Sequence, residues 1–440
     1  MNNKLSIFNT LGLGFMTFAF FLGAGNIIFP VISGALAGEQ YSITMIGFLL
    51  TAVGLPLLTL IAVAKAGGGL LSMTKYLPSK FSVAFALAVF IIIGPSFAVP
   101  RTALVAFEIG LKPFLFEATA LSLTSFSAVF FLIVALLSVS EGKLLDIIGK
   151  VITPLLIILL TVLSISVFIN PLSEVGIATG NYIKAPFVTG FLEGYNTMDT
   201  LASLVFGMLI INVIKTKGIT DKKAQYKYLS IAGLIATTGL TFVYVSLFYL
   251  GATSQEIAPN ISNGGEIIAL YVKALFGLPG QILLSLVVGL ACLTTAVGLV
   301  SAMSDFLCSL KTNWNRRTLV IVNCALCALV TNVGLNELIA LSVPVLFTVY
   351  PMAITIVALT FSNHLLPNKH NSQRFILTVA FLFGLLDGIK ASGVNMDIFS
   401  FLPLFELGMA WVLPTASALI VSVVMFKATE ETVLQVKQTS

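Results

Sequence analysis

The chain has 440 residues, 58% of them hydrophobic and 9% charged, with a mean hydropathy of +1.05. Soluble domains carry about 25% charged residues, so this composition cannot cover a water-exposed surface and predicts an all-α integral membrane protein. The excess of 23 Lys+Arg over 18 Asp+Glu is too diffuse for a nucleic-acid-binding face; nucleic acid is not an expected partner, and membrane lipid is.

A membrane helix needs about 20 apolar residues. Twelve stretches qualify: 5–38, 43–65, 80–108, 117–139, 143–169, 186–214, 227–251, 280–309, 317–336, 338–362, 374–393 and 403–427. The first follows Met1 to Lys4 at once and lacks a clear cleavage site, which reads as a retained span. It is also too long. Its 34 residues would make a helix of about 51 Å at 1.5 Å per residue, against a hydrocarbon core of about 30 Å. Gly23-Ala24-Gly25-Asn26 and Pro30 weaken a helix there, so a break is expected, with a tilted helix bearing a glycine packing face as the alternative. The N–H groups at Ala24, Gly25 and Asn26, at the positive end of the outer half-helix, suit a carboxylate. The carbonyls freed before the break, such as those of Ala19 and Leu22, suit a cation.

The third stretch holds Arg101, which is expensive in a membrane. It is read as one side of a gate, paired with Glu193 or Asp199; the alternative is that it snorkels outward. In the sixth stretch, Glu193-Gly194-Tyr195-Asn196-Thr197-Met198-Asp199 interrupts the apolar run. A mid-membrane Asp costs about 2.5–3.5 kcal/mol and needs a cavity or partners. A second break is expected here, with an outer loop before a shorter helix over 199–214 as the alternative. Carbonyls around Tyr195, Asn196 and Thr197 suit an ammonium group, so the two breaks together fit a zwitterionic amino acid. Tyr195, Phe97 and Phe206 are candidates for an apolar side-chain pocket.

Interrupted helices at spans one and six are five spans apart, which inverts the topology and points to an inverted-repeat secondary transporter. The expected organisation is a first repeat over 1–175, a second over 176–365, and accessory helices with a cytoplasmic tail over 366–440. The outer segment at about 252–279 carries Asn260, Asn263, Gly264 and Gly265 before an amphipathic run from Glu266 to Phe276, read as a short lid helix. In span eight, Ala291, Thr294 and Thr295 are spaced i, i+3, i+4 and share one face. Two hydroxyls and the Ala291 carbonyl, with the carbonyls of Ala19 and Leu22, would give five neutral oxygens, a set that suits Na⁺. The alternative is that each hydroxyl bonds a carbonyl one turn back.

Basic residues orient the spans. Eighteen fall on one side, from Lys4 through Lys65, Lys143, Lys150, Lys215, Lys311 and Lys369 to Lys427 and Lys437, and four on the other, Lys112, Lys184, Lys273 and Lys390. The positive-inside rule places both termini in the cytoplasm. Cys292, Cys308, Cys324 and Cys327 lie in or at the ends of apolar stretches, and His364 and His370 share one polar loop. No metal cluster, nucleophile–base pairing or phosphate loop suggests an enzyme, and no cofactor is expected beyond a coupling ion.

The segments LGAGNIIFP (22–30), IGPSFAVPRTALVAFE (93–108), GFLEGYNTMD (190–199), ACLTTAVGL (291–299) and LSVPVLFTVYP (341–351) resemble the bacterial branched-chain amino acid:cation symporters, the leucine/isoleucine/valine carrier family, along the whole chain. The resemblance implies uptake of leucine, isoleucine and valine by symport with Na⁺ or H⁺ across the plasma membrane. More widely, residues 22–30 are similar to the first broken helix of the sodium-coupled leucine-transporter superfamily. That implies a 5+5 core with two accessory helices, alternating access, and a sodium site at Ala19, Leu22, Ala291, Thr294 and Thr295. Asn26 matches a residue that binds a second ion in the neurotransmitter branch; Thr197 is a possible partner, but no helix-seven asparagine aligns. That branch's helix-three tyrosine is absent, and Gly94-Pro95-Ser96-Phe97 stands there. Rival expectations are a symporter for another small neutral amino acid, and a passive permease or channel. No obligatory protein partner is expected.

Overall fold

The computed structural model describes residues 5–139, 153–259, 263–311 and 313–424. Lys4, Lys143, Lys150, Asn260, Lys427 and Lys437 lie outside these, as do the start of the fifth predicted span and the end of the twelfth. The regular secondary structure of the described residues is all helical, with no strand among them. In chain order the helices are α1 (Ile7–Phe21), α2 (Ala24–Ala37), α3 (Tyr41–Leu49), α4 (Leu55–Ala66), α5 (Leu70–Met73), α6 (Ser79–Ile91), α7 (Ala98–Gly110), α8 (Ala120–Val139) and α9 (Thr153–Ile169). They continue with α10 (Asn181–Lys184), α11 (Pro186–Glu193), α12 (Asp199–Thr216), α13 (Lys222–Ala252), α14 (Gly264–Leu310), α15 (Arg316–Thr331), α16 (Leu335–Ser362), α17 (Lys369–Ala391) and α18 (Val412–Val424). Local chemistry sets several starts: Ser6, Asp221 and Asn368 accept backbone N–H bonds three residues on, from Asn9, Ala224 and Asn371, as N-caps do.

Among the described residues, seven helical runs are long and apolar enough to cross a membrane: Ala24–Ala66, Ser79–Phe114, Ala120–Val139, Asp199–Thr216, Lys222–Ala252, Gly264–Leu310 and Leu335–Ser362. The chain is an integral membrane protein. It divides into two compact units, one made of Met1–Ile61 with Val89–Ile339, the other of Ala62–Ala88 with Ala340–Ser440.

Three elements differ from the sequence reading. The third stretch, expected as one helix over 80–108, is two. A π-turn over Ile92–Ser96 separates α6 from α7, with Gly94 at φ −90°, ψ −116° and Pro95 beside it; proline lacks the N–H that would continue the ladder. The lid helix is longer than expected, beginning at Gly264, and runs into span eight with no loop between. The direction changes at Gly277, whose φ of +62° is open to glycine at little cost. The twelfth stretch does not begin at 403. Residues 403–411 are turns, with Leu404 at φ +64° and Gly408 at φ +71°, and the helix starts at Val412. The Asp387 carboxylate holds that start, accepting from the N–H groups of Ala410 and Trp411 at 3.2 and 3.3 Å, while Lys390 donates to the Phe405 carbonyl at 2.9 Å.

In the first unit, small residues let backbones touch, which is how membrane helices pack without a hydrophobic drive between them. A Cβ on Gly34 of α2 would strike the Phe248 carbonyl of α13, and one on Gly251 of α13 would strike the Val31 carbonyl of α2. The same reciprocal pattern joins α3 and α11: Gly47 lies on the Phe187 carbonyl and Gly190 on the Thr44 carbonyl. The start of the helix expected as a lid is tied by Lys112, which bridges Glu108 at 2.7 Å and Glu266 at 2.8 Å. Because the Lys112 side chain is 36% exposed, Lys112→Met is expected to cost only about 0.5–1 kcal/mol, read as a small drop in melting temperature. A loss several times larger would mean the lid depends on this tie.

Candidate membrane-embedded binding site

Both interruptions are present, and they face each other. α1 ends at Phe21, and its last ladder bond runs from the Leu22 N–H to the Phe18 carbonyl at 2.8 Å. Gly23 is extended (φ −104°, ψ −168°) and α2 starts at Ala24. The Asn26 side chain turns back to accept the Gly23 N–H at 3.1 Å. In span six, α11 stops at Glu193, a 3-10 turn covers Gly194–Thr197, and Met198 takes the left-handed conformation at φ +61° before α12 starts at Asp199. The segment before the break is helical and not a loop, and the helix after it, Asp199–Thr216, is by itself long and apolar enough to cross a membrane. A Cβ on Gly25 would lie 3.2 Å from the Thr197 Cα and 3.3 Å from the Asn196 carbonyl oxygen. A side chain at this position would press on the second break, so glycine eases the close approach of the two.

Between them lies a cavity of about 30 Å³ whose wall includes Ala24, Gly25, Asn26, Thr197, Asp199, Phe206, Arg101 and Thr295. Of the residues expected on its wall, Tyr195, Asn196 and Phe97 are not there. Tyr195 is buried against Phe191, ring centroids 5.7 Å apart, and Asn196 donates its amide to Glu193 at 3.0 Å. Phe97 follows the Gly94–Pro95 kink, which instead brings Ile93, Ala98 and Arg101 to the wall. Phe20 and Phe21 of α1 also line it. They pack on Phe206, at 5.1 Å stacked and 5.7 Å edge-on. Their position beside the break was the signal in the sequence.

Arg101 does not snorkel. It is 2% exposed, donates from Nη1 to the Asn196 carbonyl at 2.7 Å, and stands 5.1 Å over the Phe29 ring. Asp199 is engaged from two other spans. Its Oδ2 accepts from Asn26 Nδ2 at 2.6 Å and from the Tyr244 hydroxyl at 3.0 Å, and Asn26 also donates to Tyr244. All three side chains are buried. Tyr244 is a site residue that sequence reasoning missed, because nothing distinguishes it from the other tyrosines of its helix. Outside the spans, Tyr182 is buried near Glu193; burial first, then the nearby carboxylate, raises its phenol well above the usual value.

Beside the first break an oxygen cluster forms between α1 and α14. Thr294 Oγ1 lies 2.9 Å from the Ala291 carbonyl and 3.5 Å from that of Ala19. Thr295 Oγ1 lies 3.4, 3.2 and 3.5 Å from the carbonyls of Ala19, Phe20 and Leu22. The structure thus brings Ala19, Leu22, Ala291, Thr294 and Thr295 together. A threonine hydroxyl has one proton to give, and helix-terminal carbonyls lack ladder partners. Three carbonyls around the single Thr295 hydroxyl leave oxygens in excess of donors, and that donor-poor, uncharged set fits a small hard cation.

The family model described as branched-chain amino acid transport protein matches residues 6–429. The branched-chain amino acid transport system 2 carrier protein of Pseudomonas aeruginosa is 47% identical over 420 residues, covering 95% of this chain and 96% of the relative. The branched-chain amino acid permease BrnQ of Escherichia coli K12 is 42% identical over 434 residues, 97% and 98% of the two chains. In fold the chain is similar to MhsT, solved in complex with L-phenylalanine, with a TM-score of 0.58 at 16% identity over 95% of this chain and 98% of that one. Two broken spans meeting at a buried cavity, the motifs at both breaks, and full-length relatives that are carriers and permeases lead to one assignment: the chain belongs to the branched-chain amino acid transport protein family.

Proposed function

We propose that this protein imports leucine, isoleucine and valine across the bacterial plasma membrane by symport with Na⁺, through alternating access. The observation that carries the reading is the meeting of the two helix breaks at one cavity. There the N-terminal end of α2 suits a carboxylate and the break in span six suits an ammonium group. Arg101 and Asp199 place one basic and one acidic side chain on the wall, as recognition of a zwitterion requires. Phe20, Phe21, Ile93 and Phe206 leave the remainder apolar, as an aliphatic side chain requires. The names of the Pseudomonas and Escherichia relatives support the same substrates. A cavity of about 30 Å³ has room for a water or two but not for leucine, so substrate enters only when the helices around it move.

The proposed architecture has twelve spans, both termini cytoplasmic, with repeats over 1–175 and 176–365 and accessory helices over 366–440. The outer half of span one packs on span seven by reciprocal glycines, and the outer half of span six packs on span two in the same way, so close backbone contacts hold the outer side of both breaks. Na⁺ is proposed at the oxygens of Ala19, Leu22, Ala291, Thr294 and Thr295. Proton coupling is the second reading, and what favours it is a buried carboxyl, Asp199, held by partners on spans one and seven.

The test is labelled leucine uptake into proteoliposomes under an imposed Na⁺ or proton gradient, for wild type and Thr294→Ala/Thr295→Ala. We expect Na⁺-driven uptake whose half-saturating Na⁺ concentration rises at least about tenfold in the variant, for two hydroxyls each worth about 1 kcal/mol. Uptake driven by protons alone and unmoved by the substitutions overturns the Na⁺ site. Stronger inhibition by another neutral amino acid than by isoleucine or valine overturns the substrate.

A further inference from the structure

The second compact unit carries a cavity the transport reading does not use. Its volume is about 250 Å³, and every residue lining it is neutral or basic, including Lys65, Lys75, Tyr76, Phe361, His364 and Lys369. These lie at helix ends: Lys65 in the last turn of α4, Phe361 at the end of α16, Lys369 at the start of α17. The three ammonium groups gather around two rings. Lys65 Nζ is 5.1 Å from the Phe361 centroid, and Lys75 and Lys369 are 5.1 and 5.7 Å from that of Tyr76. Lys65 also reaches the Phe361 carbonyl at 3.5 Å, and His370 Nδ1 lies 2.9 Å from the Tyr76 carbonyl.

Among the described residues the segments that form this cavity carry no counter-charge. No Asp or Glu occurs between Glu39 and Glu108, or between Glu337 and Asp387. Like charges converging on one cavity repel, and ring faces and carbonyls offset that only in part. A bound anion would relieve it. Leu71 and Leu365, next to the lining residues Ser72 and His364, are exposed, so apolar surface adjoins the basic mouth. That pairing of basic pocket, half-buried tyrosine and exposed leucine matches a lipid: a phosphate headgroup above acyl chains.

We propose that this cavity binds a phosphate-bearing anion, the headgroup of an anionic phospholipid. The experiment uses the purified full-length protein in detergent. Native mass spectrometry follows retention of phosphatidylglycerol against phosphatidylcholine, with and without excess inorganic phosphate. Variants are Lys65→Gln/Lys75→Gln/Lys369→Gln, the same three positions changed to Arg, and a control, Lys184→Gln/Lys273→Gln. The expected result is selective retention of phosphatidylglycerol in wild type, control and Arg variant, insensitive to phosphate. In the Gln variant it should be about 100-fold weaker, the combined effect of three basic residues facing an anionic lipid. Displacement of the lipid by inorganic phosphate alone would support the anion site and overturn the lipid as its source. Equal retention in wild type and Gln variant, or no preference over phosphatidylcholine, overturns the proposal. The Arg variant separates loss of charge from loss of fold, because it keeps the charge.

Discussion

Asp199→Ala is expected to abolish leucine uptake and to cost about 2–5 kcal/mol of stability, the penalty for leaving two buried donors without their acceptor. The donors are the Asn26 amide and the Tyr244 hydroxyl, at 2.6 and 3.0 Å. Each belongs to a different span, so the carboxyl joins spans one, six and seven at the point where two of them are broken. Asn26 has a second duty, accepting the Gly23 N–H, so a displaced Asn26 would also disturb the entry into α2. Tyr244→Phe removes one donor and leaves the Asn26 bond, and should cost about 1 kcal/mol with partial uptake retained. The measurements are proteoliposome uptake and thermal unfolding in detergent. Wild-type uptake in Asp199→Ala would show that the triad is packing and not part of the transport site.

Gly251→Val is expected to prevent assembly of the first unit. The new Cβ would collide with the Val31 carbonyl, and backbone cannot step aside as a flexible side chain can. α2 would be pushed off α13, carrying the first break with it. Overpacking a close-packed site costs about 1–3 kcal/mol or more, and here the contact repeats at Gly34 on Phe248. The outcome should be a loss of monodisperse protein on size exclusion. Gly289→Ala is the contrast. Nothing lies within 4 Å of its Cβ position, and alanine in a helix interior gains about 0.5–1 kcal/mol over glycine, so it should be neutral or slightly stabilising. If Gly251→Val behaves like Gly289→Ala, the close approach of the two helices is not what holds them.

Much of this protein follows from local chemistry read along the chain. Apolar runs of about 20 residues with few charges can only be membrane helices. Gly23 to Asn26 and Glu193 to Asp199 mark breaks because glycine and unpaired polar groups each penalise a continuous buried helix. The i, i+3, i+4 spacing puts Ala291, Thr294 and Thr295 on one face whatever surrounds them. Other features were written in the residues but masked by hydropathy: Gly94-Pro95 kinks a stretch that reads as one apolar run, and Gly408 with Leu404 delays the last helix to Val412. What the tertiary structure alone decided is which of these elements meet. No pattern along the chain tells Tyr244 from the other nine tyrosines; it becomes a site residue only because α13 lies against α2 and the start of α12. Arg101 could have turned toward lipid or inward, and the kink at Gly94 together with the Asn196 carbonyl settles it inward. Sequence determines the places where a helix must fail; long-range packing determines that two failures, 170 residues apart, face one another across a single cavity.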